Sequence, residues 1–441
     1  MKNMFVGCIC LSVGVVFATP TVRIDSLVRN DDGSVVVGYA LSGERAIVCF
    51  DVTTNGVSVG GQNMWRVLGD VNRVVGNGHD FASPYVGSFT WFTAGTELES
   101  DGLPDDATLK VEVNAYALDN PPDYMAVHLT LARAGADPAP DEPGFAARFY
   151  PDEASLPGGL LENPAYRETI LVMRRIHARG VTWRHGVPKA VGLTDRQDFE
   201  LNCHVQLTND FYLGVFRLTR HQWRYVWPGY SDKVSRDLYP SASAHRQVGG
   251  GSASVRNLRG DAANSSAVLE VPSASSRLGL FRVRLRLAFD IPTSLEWEYA
   301  CRAGTDGLIY NTSVWDKEKL EEIAWTKENS NDIDQPVGLK EPNPWGLHDL
   351  IGGQHEICRD LFVWGEQFFA LLKGKGFSAD DPAVNPVCLV GVNASVTNRI
   401  RAGSSRKENP ATCRASIRMS VPVTDGWASV RLSCPVDVWW L

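Results

Sequence analysis

The sequence lacks any concentration of positive charge. It has 43 Lys and Arg against 51 Asp and Glu, which gives a formal net charge of -8 at pH 7, and no basic cluster offsets this balance. Nucleic acids and anionic membranes attract basic surfaces, so the composition argues against both as partners. Aromatic side chains are well represented, since the chain has 13 Trp and most of them follow residue 180.

Beyond its first residues, the sequence also lacks an apolar run long enough to span a membrane. The N-terminus has the features of an export signal: a positive Lys2, an apolar run over residues 4–17, and the small residues Val16 and Ala18 before the expected cleavage point. A membrane span needs about 20 apolar residues, so cleavage is favoured over an uncleaved anchor. Residues 1–18 are therefore predicted to be a signal peptide, and the mature chain to be secreted, periplasmic or at the cell surface.

No two cysteines form a CxxC pair, which argues against a zinc site. Seven cysteines remain after the signal peptide, an odd number. Exported proteins pair many of their cysteines, and an odd count leaves at least one free or paired between chains. We expect one or two disulfides together with buried thiols, in a connectivity that spacing leaves open.

Short alternating runs separated by turn residues fill residues 19–131. Strands are predicted at residues 34–41, 46–52 and 109–116, and a hairpin turn at residues 31–33. About seven such strands in about 110 residues favour an all-β sandwich of the immunoglobulin or fibronectin type III kind.

Three later segments complete the organisation. Residues 132–165 are rich in Pro and acids and predict a linker. Residues 166–179 have the apolar spacing of one amphipathic helix and would open a final domain over residues 166–441. Residues 231–274 are rich in Ser, Gly, Ala and Asn and predict a long surface loop.

The most informative stretch follows Trp325. Asn343-Pro344-Trp345-Gly346 predicts a rigid turn around an apolar anchor. Asp349 and Glu356 lie seven residues apart with Gly352-Gly353 between them, and a Gly pair allows the backbone to fold back. Both carboxylates and the intervening carbonyls can then face one point, which is the mixture of oxygen ligands that calcium needs.

This stretch and four other phrases resemble, in wording and in order, the formylglycine-generating enzyme family, also called the sulfatase-modifying factor domain. The phrases are FYLGVFRLT at 211–219, IPTSLEWEYACRAGT at 291–305, RAGSS at 401–405, and CRAS at 413–416 followed by Arg418. The family typically reads FYIGKYEVT, LPTEAEWEYACRAGT, PNAWGLYDMLGNVWEW and RGGSW…CRSA.R…GFR. The resemblance covers roughly residues 202–431. It implies an α+β chain whose C-terminal domain has a C-type-lectin-like fold with little regular structure.

The resemblance implies an activity that this sequence does not support. Family enzymes oxidise a sulfatase cysteine to formylglycine with oxygen, and hold copper between two thiolates placed three and eight residues after the Ser of RGGS. The matching positions after Ser404 are Lys407 and Thr412, and Cys413 fits the Cys of CRSA instead. One thiolate cannot supply a two-thiolate copper site, so copper and catalysis are not expected. Cys413 would be catalytic only if a loop shift placed it beside another cysteine. A second branch of the fold holds non-haem iron with a His-x3-His-x-Glu motif, which none of the nine His shows.

The resemblance also implies calcium, bound by the side chains of Asp349 and Glu356 and the backbone carbonyls of Gly352 and Gln354. The sequence departs from the family phrase at Gly353, where the family has Asn, and it lacks the Trp residues that flank the family's Glu. The alternative is that the two acids only form salt bridges, for example to Arg359 or Arg302. A second and weaker family site lies near Asn329, with Asp332 or Asp334.

Glu296 and Glu298 alternate with apolar residues and could be mistaken for an acid–base pair. In the family this phrase is a helix that packs Trp and Tyr into the core, while the acids cap loops or meet arginines. Arg431 matches the Arg of the closing GFR phrase, and we expect it to anchor the last strand through a buried ion pair.

Three functions fit these observations. The first is an exported, non-catalytic module that binds a peptide, protein or glycan through loops near residues 404–427, including Ser404, Ser405 and Trp427. The second is a copper-dependent oxidase that converts a sulfatase cysteine to formylglycine at an unusual site. The third is a structural component of the cell surface. The missing thiol pair favours the first.

Overall fold

The fold is taken from a computed structural model, which describes residues 19–64, 66–77, 83–93, 109–132, 146–187, 200–227, 255–261, 267–363, 365–390, 397–422, 424 and 429–436. The predicted signal peptide and most of the predicted 231–274 loop lie outside these ranges. The strands are β1 (Thr21–Arg29), β2 (Val35–Ser42), β3 (Ala46–Thr54), β4 (Val57–Ser58), β5 (Val67–Gly69), β6 (Arg73–Val75), β7 (Tyr85–Trp91), β8 (Leu109–Ala117), β9 (Tyr124–His128), β10 (Ala147–Tyr150), β11 (Ile170–Ile176), β12 (Thr182–His185), β13 (Cys203–Gln206), β14 (Phe211–Gly214), β15 (Glu356–Leu361), β16 (Ala383–Val384), β17 (Arg399–Ala402), β18 (Arg418–Val421) and β19 (Ser433–Pro435). The helices are α1 (Ala165–Glu168), α2 (Arg220–Val226), α3 (Val255–Arg259), α4 (Arg277–Leu285), α5 (Ser294–Arg302), α6 (Lys317–Ile323) and α7 (Gly365–Leu372), with 3-10 turns at Gly61–Asn63, Leu129–Ala132 and Pro410–Thr412.

The N-terminal part is an all-β sandwich, as predicted. One antiparallel sheet has the order β1-β2-β7-β5, and the other joins β4, β6 and β8 to β3. Alternate residues of β2, namely Val35, Val37 and Tyr39, are fully buried, which is the period of a strand with one face in a core. The rings of Phe50 and Phe89, one from each sheet, lie 4.7 Å apart at their centroids and join the two layers.

The C-terminal part is built on a five-stranded sheet of order β10-β9-β11-β14-β19. Strand β9 belongs to a segment that the sequence assigned to the sandwich, and β10 to a segment that it assigned to the linker. The predicted helix over residues 166–179 was wrong: only α1 is helical there, and β11 follows at once. Strand β11 pairs with β9 on one side and β14 on the other, so its apolar residues are buried as a central strand.

The two parts share one core. Ile47 and Val74 of the sandwich pack in the same buried cluster as Met125 and Phe149 of the five-stranded sheet. The thiol of Cys49 donates to the carbonyl of Phe149 at 3.3 Å. The sandwich is therefore packed against the sheet rather than joined to it by a free linker.

Helix α5 confirms the structural interpretation of the LEWEY phrase. Its N-terminus is a capping box, in which the Thr293 side chain accepts from the backbone of Glu296 and the Glu296 side chain accepts from the backbone of Thr293. Trp297 and Tyr299 are buried. The helix packs against β15 and β17, which form a three-stranded sheet with β18 and carry the candidate site.

All seven cysteines in the described part of the chain are buried thiols that form no disulfide with one another. The expected buried thiols are therefore confirmed, whereas the expected one or two disulfides were wrong. Most of these cysteines lie on strands or helices, for example Cys49 on β3 and Cys434 on β19. Among the described residues, the structure also contains no helix that is long and apolar enough to cross a membrane.

Candidate functional site

The loop over residues 403–413 is the segment whose sequence corresponds to the family's copper segment, and hydrogen bonds hold it in a fixed shape. The backbone amide of Ser405 donates to Glu408 Oε2 at 3.2 Å, and the amide of Glu408 donates back to the Ser405 carbonyl at 3.0 Å. His355 lies behind this turn, with Nδ1 2.9 Å from the Gly403 carbonyl and Nε2 2.7 Å from Glu408 Oε1. Both ring nitrogens of His355 are therefore used inside this loop, one by a backbone carbonyl and one by a carboxylate.

The chemistry of this loop does not match a copper site. Lys407 points to solvent, with 64% of its side chain exposed. The thiol of Cys413 is buried, where it lies 3.7 Å from the Asn409 carbonyl, and burial raises its pKa to about 12. A thiol with that pKa is almost entirely protonated at neutral pH, and the thiolate is the form that binds metals or attacks substrates.

A second loop, residues 326–334, lies against the first, and we call the two together the double loop. The amide of Lys327 donates to the Glu408 carbonyl at 3.2 Å, and Arg406 Nε lies 3.0 Å from Asp334 Oδ1. At the outer edge, Lys407 Nζ is 4.0 Å from Asp332 Oδ1, and 70% of the Asp332 side chain is exposed. The double loop is therefore a surface of fixed conformation with charged side chains at its edge.

The predicted binding residues differ in their exposure. Ser404 is fully buried, whereas Ser405 is partly exposed. Trp427 lies outside the described residues. Asn329, named for the weaker calcium site, uses its side chain locally: Oδ1 accepts from the Thr326 amide at 2.7 Å and Nδ2 donates to the Ala324 carbonyl at 3.0 Å.

The first predicted calcium position contains an arginine. Nη1 of Arg217 donates to the Gln354 carbonyl at 2.9 Å, and Nη2 donates to the carbonyls of Gly352, at 3.0 Å, and of Asp349. The Asp349 carboxylate turns away and accepts from the Gly338 amide at 2.8 Å. The backbone carbonyls of the loop therefore converge on one point, as the sequence indicated, but the group at that point is the Arg217 guanidinium.

The Glu356 carboxylate is also engaged. Arg431 binds it through two hydrogen bonds, Nε to Oε2 at 2.8 Å and Nη2 to Oε1 at 2.7 Å, and Trp297 Nε1 donates to Oε2 at 2.8 Å. The predicted buried anchor of Arg431 is therefore confirmed. With two carbonyls, one carboxylate and the available space taken by guanidinium groups, these residues do not fit a calcium ion, which requires six to eight free oxygen ligands.

Beside this site, a buried charge cluster surrounds Glu298. Its Oε1 accepts from the Gly186 amide at 2.9 Å and from Arg302 Nε at 2.8 Å. Its Oε2 lies 2.6 Å from Arg418 Nη2 and 3.3 Å from His185 Nε2. The cluster ties α5 to β12 and β18, so Glu298 has the structural role that the sequence indicated.

Sequence reasoning missed two features of the site. One is Arg217, whose position in the FYLGVFRLT phrase carries Glu in the family and was the available signal. The other is the contact of His355 with Glu408, which joins residues 53 apart in the chain and had no local signal.

Elsewhere the structure has a cleft of about 520 Å³ between the sandwich and the five-stranded sheet, and a groove of about 840 Å³ along β16.

Comparison with known proteins identifies the class. Residues 194–428, more than half of the chain, match the family model described as "Sulfatase-modifying factor enzyme 1-like domain". The chain therefore belongs to this family, and its C-terminal part has the formylglycine-generating-enzyme-like fold.

Individual relatives are more distant. A stretch of 129 residues, 29% of the chain, is 28% identical to "Serine/threonine-protein kinase pkn1" of Chlamydia pneumoniae and to the protein of the same name in Chlamydia caviae. The chain spans only 19% of the length of these relatives. Among solved structures, Treponema denticola variable protein 1 is similar at 18% identity and a TM-score of 0.43, over 60% of this chain and 95% of that one. PvdO from Pseudomonas aeruginosa is similar at 14% identity and a TM-score of 0.43, over 60% of this chain and 94% of that one.

Proposed function

We propose that this chain is a non-catalytic member of its family, exported from the cell, which binds a peptide, protein or glycan on the double loop. The observation that carries the proposal is the chemistry of the 403–413 loop. Lys407 and Thr412 stand at the two positions where the family's reaction needs thiolates, and the nearby thiol of Cys413 is buried. Oxidation of a sulfatase cysteine therefore lacks its copper ligands.

The geometry of the double loop suits binding. Its backbone is held by internal hydrogen bonds, so little conformational entropy is lost when a ligand docks. Its rim carries Lys407 and Asp332, whose charged atoms are 4.0 Å apart and exposed. An exposed ion pair of this kind contributes little to stability, so polar groups of a ligand can replace either partner at low cost.

The first experiment tests catalysis. The chain over residues 19–441 is incubated with Cu(I), oxygen and a cysteine-containing sulfatase-type peptide, and mass spectrometry follows the change from thiol to aldehyde. We expect no conversion. Conversion that disappears in Cys413→Ser would overturn the proposal and favour the oxidase.

The second experiment tests binding. The same chain is applied to peptide and glycan arrays, and any ligand found is titrated against Lys407→Glu and Lys110→Glu. Lys110 is a matched control, because it is an exposed lysine of the sandwich with 71% of its side chain accessible. We expect Lys407→Glu to change the affinity by about tenfold, since a rim charge is reversed, and Lys110→Glu to leave it unchanged. Equal effects would place the binding surface elsewhere, and two arrays without ligands would favour a structural role.

A further inference from the structure

The loop over residues 349–356 closes around the Arg217 side chain, which is 3% exposed. Three backbone carbonyls, those of Asp349, Gly352 and Gln354, accept hydrogen bonds from its two terminal nitrogens. Its Nε lies 3.8 Å from Glu356 Oε1. A ring of carbonyls with a carboxylate beside it is the environment that a bound cation requires, and here a covalently attached cation fills it.

The glycine at position 353 is part of the same arrangement. A Cβ atom at Gly353 would lie 3.1 Å from Nη1 and 3.3 Å from Nη2 of Arg217, a tight contact that the guanidinium would have to relieve by a small shift. The family phrase has Asn at this position, and it has Glu at the position of Arg217. Arg217 in place of Glu and Gly353 in place of Asn are therefore coupled differences from the family phrase, because the guanidinium occupies the space that a side chain at position 353 would need.

The charges around the loop balance without a metal ion. The Glu356 carboxylate pairs with Arg431 and lies 3.8 Å from Arg217 Nε, and the Asp349 carboxylate, although it bonds the Gly338 amide, also acts on Arg217 through its charge. A divalent cation added to this set would leave two uncompensated positive charges in a buried region, which is strongly unfavourable. Replacing Arg217 by an acid would reverse the balance to two uncompensated negative charges, which a calcium ion would neutralise.

We propose that the Arg217 guanidinium is a permanent internal cation that holds the 349–356 loop in place of calcium and makes the fold of this domain independent of calcium. The inference does not depend on the ligand or on the proposed binding function.

Calcium response is the direct test. The chain over residues 19–441 and its Arg217→Glu variant are melted in EGTA and in calcium chloride. We expect the melting temperature of the wild type to change by less than about 1 °C, and that of Arg217→Glu to fall in EGTA and rise by about 5 °C or more with calcium. Arg220→Gln is the matched control, since Arg220 is a buried arginine of the same region whose ion pair is with Asp334, at 3.3 Å. It should lose stability without gaining a calcium response.

Terbium(III), a luminescent substitute for calcium, provides a readout that does not require the variant to fold. Trp325 lines the same small cavity as Arg217 and Gln354, so its indole would sensitise an ion bound there. We expect the wild type to show no terbium luminescence that is lost in Trp325→Phe. A Trp325-dependent signal in the wild type, or calcium stabilisation of the wild type, would overturn the proposal even if Arg217→Glu does not fold.

The coupling of the two positions can be measured by a double-mutant cycle. Gly353 has a φ of +70°, a conformation that Asn tolerates better than other side chains, so Gly353→Asn mainly tests the contact with Arg217. We expect Gly353→Asn to lower the melting temperature of the wild type clearly, and to do so less in the Arg217→Glu background with calcium present. Equal losses in both backgrounds would show that the two positions are independent and would contradict the proposal.

Discussion

Glu298→Gln is the substitution whose effect the structure predicts most fully. The change keeps the size and shape of the side chain and removes its charge. Glu298 is completely buried, and its two oxygens meet Arg302 Nε at 2.8 Å and Arg418 Nη2 at 2.6 Å. Both arginines are themselves only 5% exposed, so the variant would leave two buried cations without their anion.

The decrease in unfolding free energy can be derived from these contacts. Removing one member of a buried ion pair costs about 3–5 kcal/mol, because the remaining charge is left desolvated and unpaired. The Gln side chain keeps one oxygen, which can still accept from the Gly186 amide or from one arginine. We therefore expect Glu298→Gln to lower the free energy of unfolding at pH 7 by about 3 kcal/mol, at the low end of this range.

The decrease in unfolding free energy that Glu298→Gln causes depends on pH, and its direction follows from the pKa of Glu298. Burial alone would raise the pKa of Glu298, but the charges of His185, Arg418 and Arg302 hold it well below its usual value of 4.5. Burial lowers the pKa of His185 to about 4, so this imidazole is neutral at pH 7 and the two arginines account for the stabilisation there. A carboxyl group whose pKa is lower in the folded state contributes stability that is complete above its unfolded pKa and is lost as the pH falls toward the folded value. The wild type should therefore lose stability below about pH 4.5, and the difference from the variant should narrow there.

Urea unfolding of residues 19–441, followed by tryptophan fluorescence at pH 7 and at a series of acidic pH values, measures both effects. The matched control is Glu341→Gln, because Glu341 is an exposed glutamate. Its unfolding free energy should stay within about 0.5 kcal/mol of the wild type. A loss below about 1 kcal/mol for Glu298→Gln, or a difference that stays constant from pH 7 to pH 3, would refute the reasoning.

Three further outcomes follow from packing and sequence. Gly279→Ala should cost more than about 3 kcal/mol in urea unfolding, because its Cβ would lie 1.9 Å from the Ser273 carbonyl oxygen, and a loss under about 1 kcal/mol would contradict that contact. In the native chain over residues 19–441, the seven buried thiols should resist Ellman's reagent and react together only in urea, whereas rapid labelling of Cys413 would show it to be accessible. On expression with its N-terminus intact, the exported chain should begin at or near Thr19 by N-terminal sequencing, and a retained Met1 would contradict signal cleavage.

Local patterns predicted the features of this protein that depend on neighbours in the chain. The sandwich followed from alternating residues with a period of two, such as Val35, Val37 and Tyr39. Helix α5 followed from its phrase, in which Thr293 and Glu296 stand at the spacing of a capping box. The order of the motifs predicted the family, and the absence of thiols at positions 407 and 412 is visible without any structure.

Other features depend on groups that are distant in sequence. Strand β11 has apolar residues that suit a helix, and its pairing with β9 and β14 decided for a strand. The export signal and the odd number of cysteines favoured disulfides, but only the positions of the thiols in the folded chain showed that they do not pair.

The candidate site also has one part that the local sequence determines and one part that depends on long-range contacts. The sequence by itself determined the loop over residues 349–356: its glycines allow the backbone to fold back, and its carbonyls then converge on one point. Only the tertiary structure decided what occupies that point, because Arg217 comes from a segment 132 residues away from Asp349. Backbone conformation is set by short-range sterics that can be read along the chain. The identity of a buried partner is set by which long-range contact best compensates charge and hydrogen bonds in three dimensions.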